Sequence, residues 1–323
     1  MSDGPRGVRD GSHGRSDGHT LTSHGHTDNG REDNGAERQG DAGRRSAILS
    51  VASYNIHRGR GLDRRTDLPR IAEVLREIDA DVIGLQEVHE PQLGVLAEAL
   101  GMSAVMGVTR PGQLGPYGNG VLSRLAIRAT QTFDLSHRLR EPRGGVRVDL
   151  SVAGYTLHLF NVHFGLALRE RAVQVTRLVA EHILASAITG PRVVLGDLNE
   201  WFPGRVGRTL RRELLGPRMR RTHPAPMPLF PLDRIYWCRA VEADLFRVHR
   251  SPLARIASDH LPVVARLRIA GSALSSSLPS SNRFRIPNRF RISRSPWGAG
   301  RGRGADGSPR EAHPHLLPGR ERE

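Results

Sequence analysis

Between residues 47 and 269, short apolar runs alternate with polar or Gly/Pro clusters, and the period of the apolar positions changes along the way. Ala47-Ile48-Leu49-Ser50-Val51-Ala52-Ser53-Tyr54 predicts a buried first strand, with Asn55 and His57 at its exit. Leu68, Ile71, Ala72, Leu75 and Ile78 follow at helical spacing. Asp67 suits the cap of that helix, and Pro69 is tolerated in its first turn. Asp81 to Leu85 predicts a second strand that ends at Glu87, and Pro91 to Leu100 a second helix. From Met102 to Asn161 the period falls to two. Val146, Val148 and Leu150 alternate there with Arg147, Asp149 and Ser151, the pattern of antiparallel strands with one buried face. Arg169 to Ala187 predicts a long helix with Ala172, Val175, Val179, His182 and Ile183 on one stripe. Pro191 to Leu195 predicts a buried strand, Val206 to Leu215 a short helix, and Val241–Val248 and Leu261–Ile269 the closing strands.

The flanks read differently. Residues 1–45 hold almost no large apolar side chain and cannot offset the entropy of ordering, so they are expected to be disordered. From Gly271 onward Ser, Pro, Arg and Gly dominate, and Asn282-Arg283-Phe284-Arg285-Ile286 recurs as Asn288-Arg289-Phe290-Arg291-Ile292. One domain over 46–270 is therefore expected between disordered tails at 1–45 and 271–323.

Composition narrows the function classes. The chain of 323 residues carries 48 basic against 33 acidic residues, a formal net charge of +15. Every basic side chain is Arg, which suggests a coding bias rather than a chemical choice. Residues 46–270 alone hold 31 Arg and 21 acidic residues, a balance that suits an anionic substrate or simply a solvated Arg-rich surface. Cys238 is the single cysteine, so neither an intramolecular disulfide nor a thiolate metal site is implied. No apolar run reaches the roughly 18 residues of a bilayer span, and no signal peptide is evident in the first 45 residues. A cytoplasmic monomer is expected.

The candidate chemistry sits where strands end. Asp197 and Asn199 follow a buried strand with one residue between them, so they project to the same side. A carboxylate there can take a proton from water or hold a metal, and a carboxamide can donate to a developing oxyanion. Either could also merely shape a turn. Four further polar groups occupy similar places: Tyr54-Asn55-Ile56-His57, Leu85-Gln86-Glu87, Asn161-Val162-His163 and Ser258-Asp259-His260, with Asp233 in Leu232-Asp233-Arg234. Hard oxygen donors around Glu87 and Asn55 suit Mg²⁺ or Mn²⁺.

In this order, these constellations resemble the endonuclease/exonuclease/phosphatase superfamily, with its deoxyribonuclease-I-like fold. The resemblance spans roughly residues 47 to 269. It implies an α+β fold, a four-layer α/β/β/α sandwich of two mainly antiparallel sheets packed face to face with helices outside. It implies a metal-dependent phosphodiesterase, nuclease-like, cleaving by attack of activated water. Glu87 would be the main metal ligand, with Asn55 and Asp259 nearby. Asp197 would orient or deprotonate the water and Asn199 hold a phosphoryl oxygen. His260 would contact the scissile phosphate, with Asp233 orienting its ring. His163 would be a second phosphate contact or the acid for the leaving oxygen. Tyr117-Gly118-Asn119 and Glu141-Pro142-Arg143 match further family segments, which makes Asn119 and Arg143 candidate substrate contacts. His57 stands where nucleic-acid-cleaving relatives often carry Asp, so a strong two-metal site is not expected, and His57 itself could touch metal or phosphate. Nucleic acid is the first expected substrate. The alternatives are a phospholipid or an inositol or sugar phosphate. From a different class, a non-catalytic anion-binding module would work through the Arg/Phe-rich tail. Trp201 is expected to pack under the Pro203 loop, with stacking on a base or a lipid face as the alternative.

Overall fold

The computed structural model describes residues 46–269; the expectations for the two tails lie outside them. Eleven strands and five α-helices follow in the order β1 (Ala47–Asn55), α1 (Leu68–Ile78), β2 (Val82–His89), α2 (Glu90–Leu100), β3 (Ser103–Arg110), β4 (Tyr117–Ser123), β5 (Ile127–Asp134), β6 (Gly144–Val152), β7 (Tyr155–His163), α3 (Leu168–Arg177), β8 (Arg192–Asp197), α4 (Arg205–Glu213), β9 (Asp233–Trp237), β10 (Val241–Val248), α5 (Ala254–Ala257) and β11 (Val263–Ile269). One sheet has the order β10-β11-β1-β2-β4-β3 and the other β5-β6-β7-β8-β9. Each contains a single parallel pair, β1 with β2 and β7 with β8, bridged by α1 and α3; the other neighbours are antiparallel.

Three apolar layers separate four layers of structure. Leu49, Val51, Val82 and Val121 of the first sheet meet Val148, Leu159, Val193 and Leu195 of the second. The opposite face of β1 and β2, with Ala52, Tyr54, Ile83 and Leu85, packs under Ile71, Leu75 and Leu96 of the helices. On the far side, Phe160, Val162 and Val194 pack under α3 and α4 through Val175, Val206 and Leu210. Central strands buried on both faces read as continuous apolar runs, which is why β1, β2 and β8 stood out in the sequence. The sandwich and its outer helices are as expected.

Local chemistry sets several boundaries. Asp67 Oδ1 accepts from the Arg70 amide at 2.9 Å and caps α1. The long helix expected over 169–187 is instead α3 followed by a π-helical turn over Leu178–Ile183. That wider turn keeps Val175, Leu178, Val179 and Ile183 all buried.

The two sheets approach closely at Gly84 of β2. A Cβ on Gly84 would lie 2.2 Å from Leu195 Cδ1 and 3.0 Å from Asn161 Cγ, so only glycine admits this approach. Just beyond, the β2–β4 register shifts between Leu85 and Val88, a bulge that takes Gln86 and Glu87 out of the ladder. Asn161 of the second sheet fills the gap. Its Nδ2 donates to Leu85 O at 2.9 Å and Gly120 O at 2.8 Å, and its Oδ1 accepts from Gln86 Nε2 at 2.6 Å. All these groups are buried, so each bond lost leaves a desolvated partner. Asn161→Ala is expected to lower stability by at least ~3 kcal/mol in denaturant unfolding. A loss under about 1 kcal/mol would show that these bonds do not join the sheets.

Candidate active site

The parallel pairs point the same way, so the tips of β1, β2, β7 and β8 share one end: Asn55 pairs with Gln86, and His163 with Asp197. The antiparallel neighbours begin there, Asp233 opposite Asp197 and Val263 opposite Ser53. Polar residues dispersed over two hundred positions of sequence are thereby gathered at one edge of the sandwich.

Asp197 is at the centre. It is buried, and its Oδ2 accepts from Asn55 Nδ2 across the sheet interface at 3.1 Å. The same Asn55 Nδ2 lies 3.2 Å from Glu87 Oε1, so one carboxamide holds a carboxylate from each sheet. Asp197 Oδ1 accepts from the Asn199 amide at 2.8 Å. Burial, with the nearby Asp233 charge, pushes the Asp197 carboxyl up to about 6, against the opposing pull of His260.

His260 faces Asp197 from the other side, with Nε2 3.8 Å from Asp197 Oδ2. Its Nδ1 is 2.8 Å from Asp233 Oδ2. Burial disfavours the imidazolium, but Asp233 and Asp197 overcome it and raise the ring to about 10. The ring is therefore a cation at neutral pH, oriented by Asp233. Asp233 Oδ1 is buried and has no hydrogen-bond partner.

His163 is the opposite case. Burial, then the Arg143 and His260 charges, hold it well below the usual imidazole range, so it is neutral. Arg143 Nη1 lies 3.0 Å from its Nδ1. The same Nη1 is 3.3 Å from the ring's Nε2, which lies 3.5 Å from Asp197 Oδ2. Asn199 Nδ2 donates to Phe164 O at 2.9 Å and lies 3.2 Å from the same Nε2. Arg143 is itself buried, with Nη2 on Glu141 Oε2 at 2.8 Å. Asn119 is buried too and spends Nδ2 on Gly144 O at 2.9 Å, fixing the strand start beside Arg143.

Asp259 lies further out, with Oδ1 3.6 Å from His57 Nδ1. Ser258 Oγ, next to it in the chain, donates to Asn55 O at 2.8 Å and ties this segment to the tip of β1. His57, Arg58, Glu87 and Asn199 all have φ between 46° and 58°, a left-handed conformation uncommon for such residues. They are four of the eight described non-glycine residues with positive φ, and conformations of this kind persist only where the surroundings impose them.

Two features escaped the sequence reading. His223 is one: its ring centroid is 4.7 Å from that of His260 and its Nε2 3.8 Å from Asp259 Oδ2. It sits in a Pro-rich loop with no periodicity to mark it. The other is a buried ion pair. Arg234 Nη1 lies 2.8 Å from Glu200 Oε2, and the Glu200 carboxylate also accepts from the Val206 and Gly207 amides. This clamp fixes the Asp197–Asn199 loop to β9 and to α4. Trp201, just beyond it, does not pack under the Pro203 loop; it is half exposed and rests on Phe230, with centroids 4.9 Å apart.

The donor set suits a hard divalent cation. Glu87, Asp197, Asp233 and Asp259 bring four carboxylates to one end, and among the described residues Glu87 has no cationic partner. An anionic phosphate would be repelled there unless a cation offset them. Carboxylate and amide oxygens without thiolate fit Mg²⁺ or Mn²⁺. Further ligand atoms lie close together on His223 with Asp259 and on Asp197 with Asp233, each pair beside the His260 ring, which as a cation offers none.

Comparison with known proteins agrees with this geometry. The chain is 30% identical over 248 residues to the uncharacterized protein YbhP of Escherichia coli K12, covering 68% of this chain and 96% of that one. A protein of the endonuclease/exonuclease/phosphatase family from Bacteroides thetaiotaomicron superposes with a TM-score of 0.60 at 19% identity, covering 70% and 99% of the two chains. A mannosyl-6-phosphatase from Bacteroides thetaiotaomicron gives 0.58 at 22% identity, over 68% and 99%. TDP2 of D. rerio, complexed with a single-strand DNA product, gives 0.56 at 18% identity, over 68% and 99%. The sequence profile of the Endonuclease/Exonuclease/phosphatase family matches residues 52–260, and the chain belongs to that family.

Proposed function

We propose that this protein is a divalent-metal-dependent phosphodiesterase that cleaves by direct attack of water on phosphorus. The observation that carries the reading is Asn55 Nδ2, bonded at once to Asp197 and to Glu87. It joins a candidate base on one sheet to a candidate metal ligand on the other. Glu87 would hold the cation, with Asn55 and Asp259 beside it. A bound Mg²⁺ or Mn²⁺ supplies charge neutralisation at the phosphoryl and leaving oxygens.

The chain's own groups account for the rest. Ionised Asp197 orients the water and takes its proton. The His260 imidazolium stabilises charge on the phosphoryl oxygens, and Asp233 keeps it aligned. Asn199 adds an amide donor. The neutral state of His163 supports a phosphate contact, with Arg143 behind it, over the role of acid to the leaving oxygen. The mannosyl-6-phosphatase and the DNA-bound TDP2 among the structural neighbours support phosphoester chemistry as the class. The positive balance of residues 46–270 favours a substrate carried on an extended polyanionic strand or surface over a small free phosphoester.

Hydrolysis of bis(p-nitrophenyl) phosphate tests the reading. Activity is expected with Mg²⁺ or Mn²⁺ and none with EDTA. His260→Ala and Glu87→Gln should each lower kcat by ~10²–10⁴-fold with the unfolding midpoint little changed. An active His260→Ala protein would overturn the assignment. The pH profile follows from the two shifted groups. Asp197 must be ionised, so kcat/KM should fall about tenfold from about pH 7 to about pH 5, as a group near 6 protonates. On the alkaline side it should fall again near pH 10, where His260 loses its proton. A flat profile through the acid range would remove Asp197 as the base.

A further inference from the structure

The loops around the candidate site leave large apolar side chains in water. Leu139 stands fully exposed on the β5–β6 loop. Leu166 and Leu168, after β7, are 68% and 78% exposed. Trp201 and Phe202 follow β8, and Met227 lies on the loop before β9. These loops share one end of the five-stranded sheet, because Asp134 pairs with Gly144, Gly145 with Val162, His163 with Asp197, and Asp197 with Asp233. Among the described residues, the turns at the opposite end, 124–126, 153–154 and 238–240, carry no large exposed apolar side chain. Other described apolar side chains are exposed, Ile48 and Leu114 among them, but the five most exposed are all on this face, and such a concentration marks a contact surface.

The face is also cationic. Arg138, Arg140, Arg169 and Arg205 are exposed on the same loops or at the first turns beyond them. Among the described residues none of the four is in a salt bridge. Of the acids on these loops, Glu141 is paired with Arg143 and Glu200, buried, with Arg234, while Asp134 accepts from the Ser136 amide. Apolar tips interspersed with unpaired guanidinium groups match an anionic bilayer, whose headgroups take the charge and whose acyl boundary takes the side chains. A single strand of nucleic acid would use flat rings for its bases. Most of these tips are aliphatic, and the aromatic ones are partly committed to each other, Trp201 against Phe230 and Phe202 edge-on to it at 5.9 Å.

We infer that this rim docks on an anionic membrane surface, so that the site opens onto the headgroup layer and its substrate class is a phosphoester presented there. Docking is independent of turnover; only the naming of the substrate class rests on the hydrolytic reading. The test is flotation of the full-length protein with phosphatidylglycerol/phosphatidylcholine vesicles and with phosphatidylcholine alone. The wild type is compared with the quadruple variant Leu139→Ser, Leu166→Ser, Leu168→Ser, Phe202→Ser. The wild type should bind the anionic vesicles, and the variant should bind them roughly tenfold or more weakly. Hydrolysis of bis(p-nitrophenyl) phosphate should be the same for both proteins, which separates docking from chemistry. The proposal is overturned if the wild type ignores anionic vesicles or if the variant binds them equally well. It is also overturned if the four substitutions weaken binding of a single-stranded oligonucleotide while vesicle binding stays intact.

Discussion

Everything at the candidate-site end depends on a polar seam between two sheets that are otherwise joined by aliphatic packing. Asn161 reaches from β7 to the Leu85 and Gly120 carbonyls, Gln86 reaches back to Asn161, and Asn55 bonds Asp197. Valine and leucine side chains elsewhere between the sheets are non-directional and would tolerate a small slide. Buried hydrogen bonds would not, since displacement leaves desolvated donors and acceptors. The seam therefore fixes how the tips of β1 and β2 stand against those of β7 and β8. The candidate residues divide between the sheets, Asn55, Glu87 and His260 on one and His163, Asp197 and Asp233 on the other, so their alignment is the alignment of the sheets.

The electrostatics follow from that placement. Two imidazoles lie on either side of one carboxylate and take opposite charge states. His260 has Asp233 and Asp197 against it and stays protonated; His163 is held neutral by burial first and by Arg143 against it. The same chemical group thus provides a cation and a neutral hydrogen-bonding surface at one site, by environment alone. The positive φ values of His57, Glu87 and Asn199 show the backbone held in costly conformations where these side chains are presented.

Much of this was legible in the sequence because each strand is a short apolar run with a polar tip. Val193–Leu195 followed by Asp197, or Ile83–Leu85 followed by Glu87, announces both the strand and the place where chemistry can be exposed. The four-layer sandwich followed from the order of these tips and their resemblance to one family. What was hidden had no local signal. Gln86 and Asn161 are 75 residues apart, and nothing in either segment marks them as partners. His223 lies among prolines with no period to place it. Glu200 has no local signal either, yet it is buried against Arg234 and anchors the start of α4. The π-helical turn after α3 answers to packing against the second sheet and leaves the helical pattern of the sequence intact.

If the seam assembles one hydrolytic centre from two sheets, residues on opposite sides of it must act as a unit. A double-mutant cycle on kcat/KM with Glu87→Gln from the first sheet and Asp197→Asn from the second measures this directly. The account predicts strong non-additivity, with the double variant about as slow as the slower single variant. Losses that multiply, as for two independent sites, would contradict it.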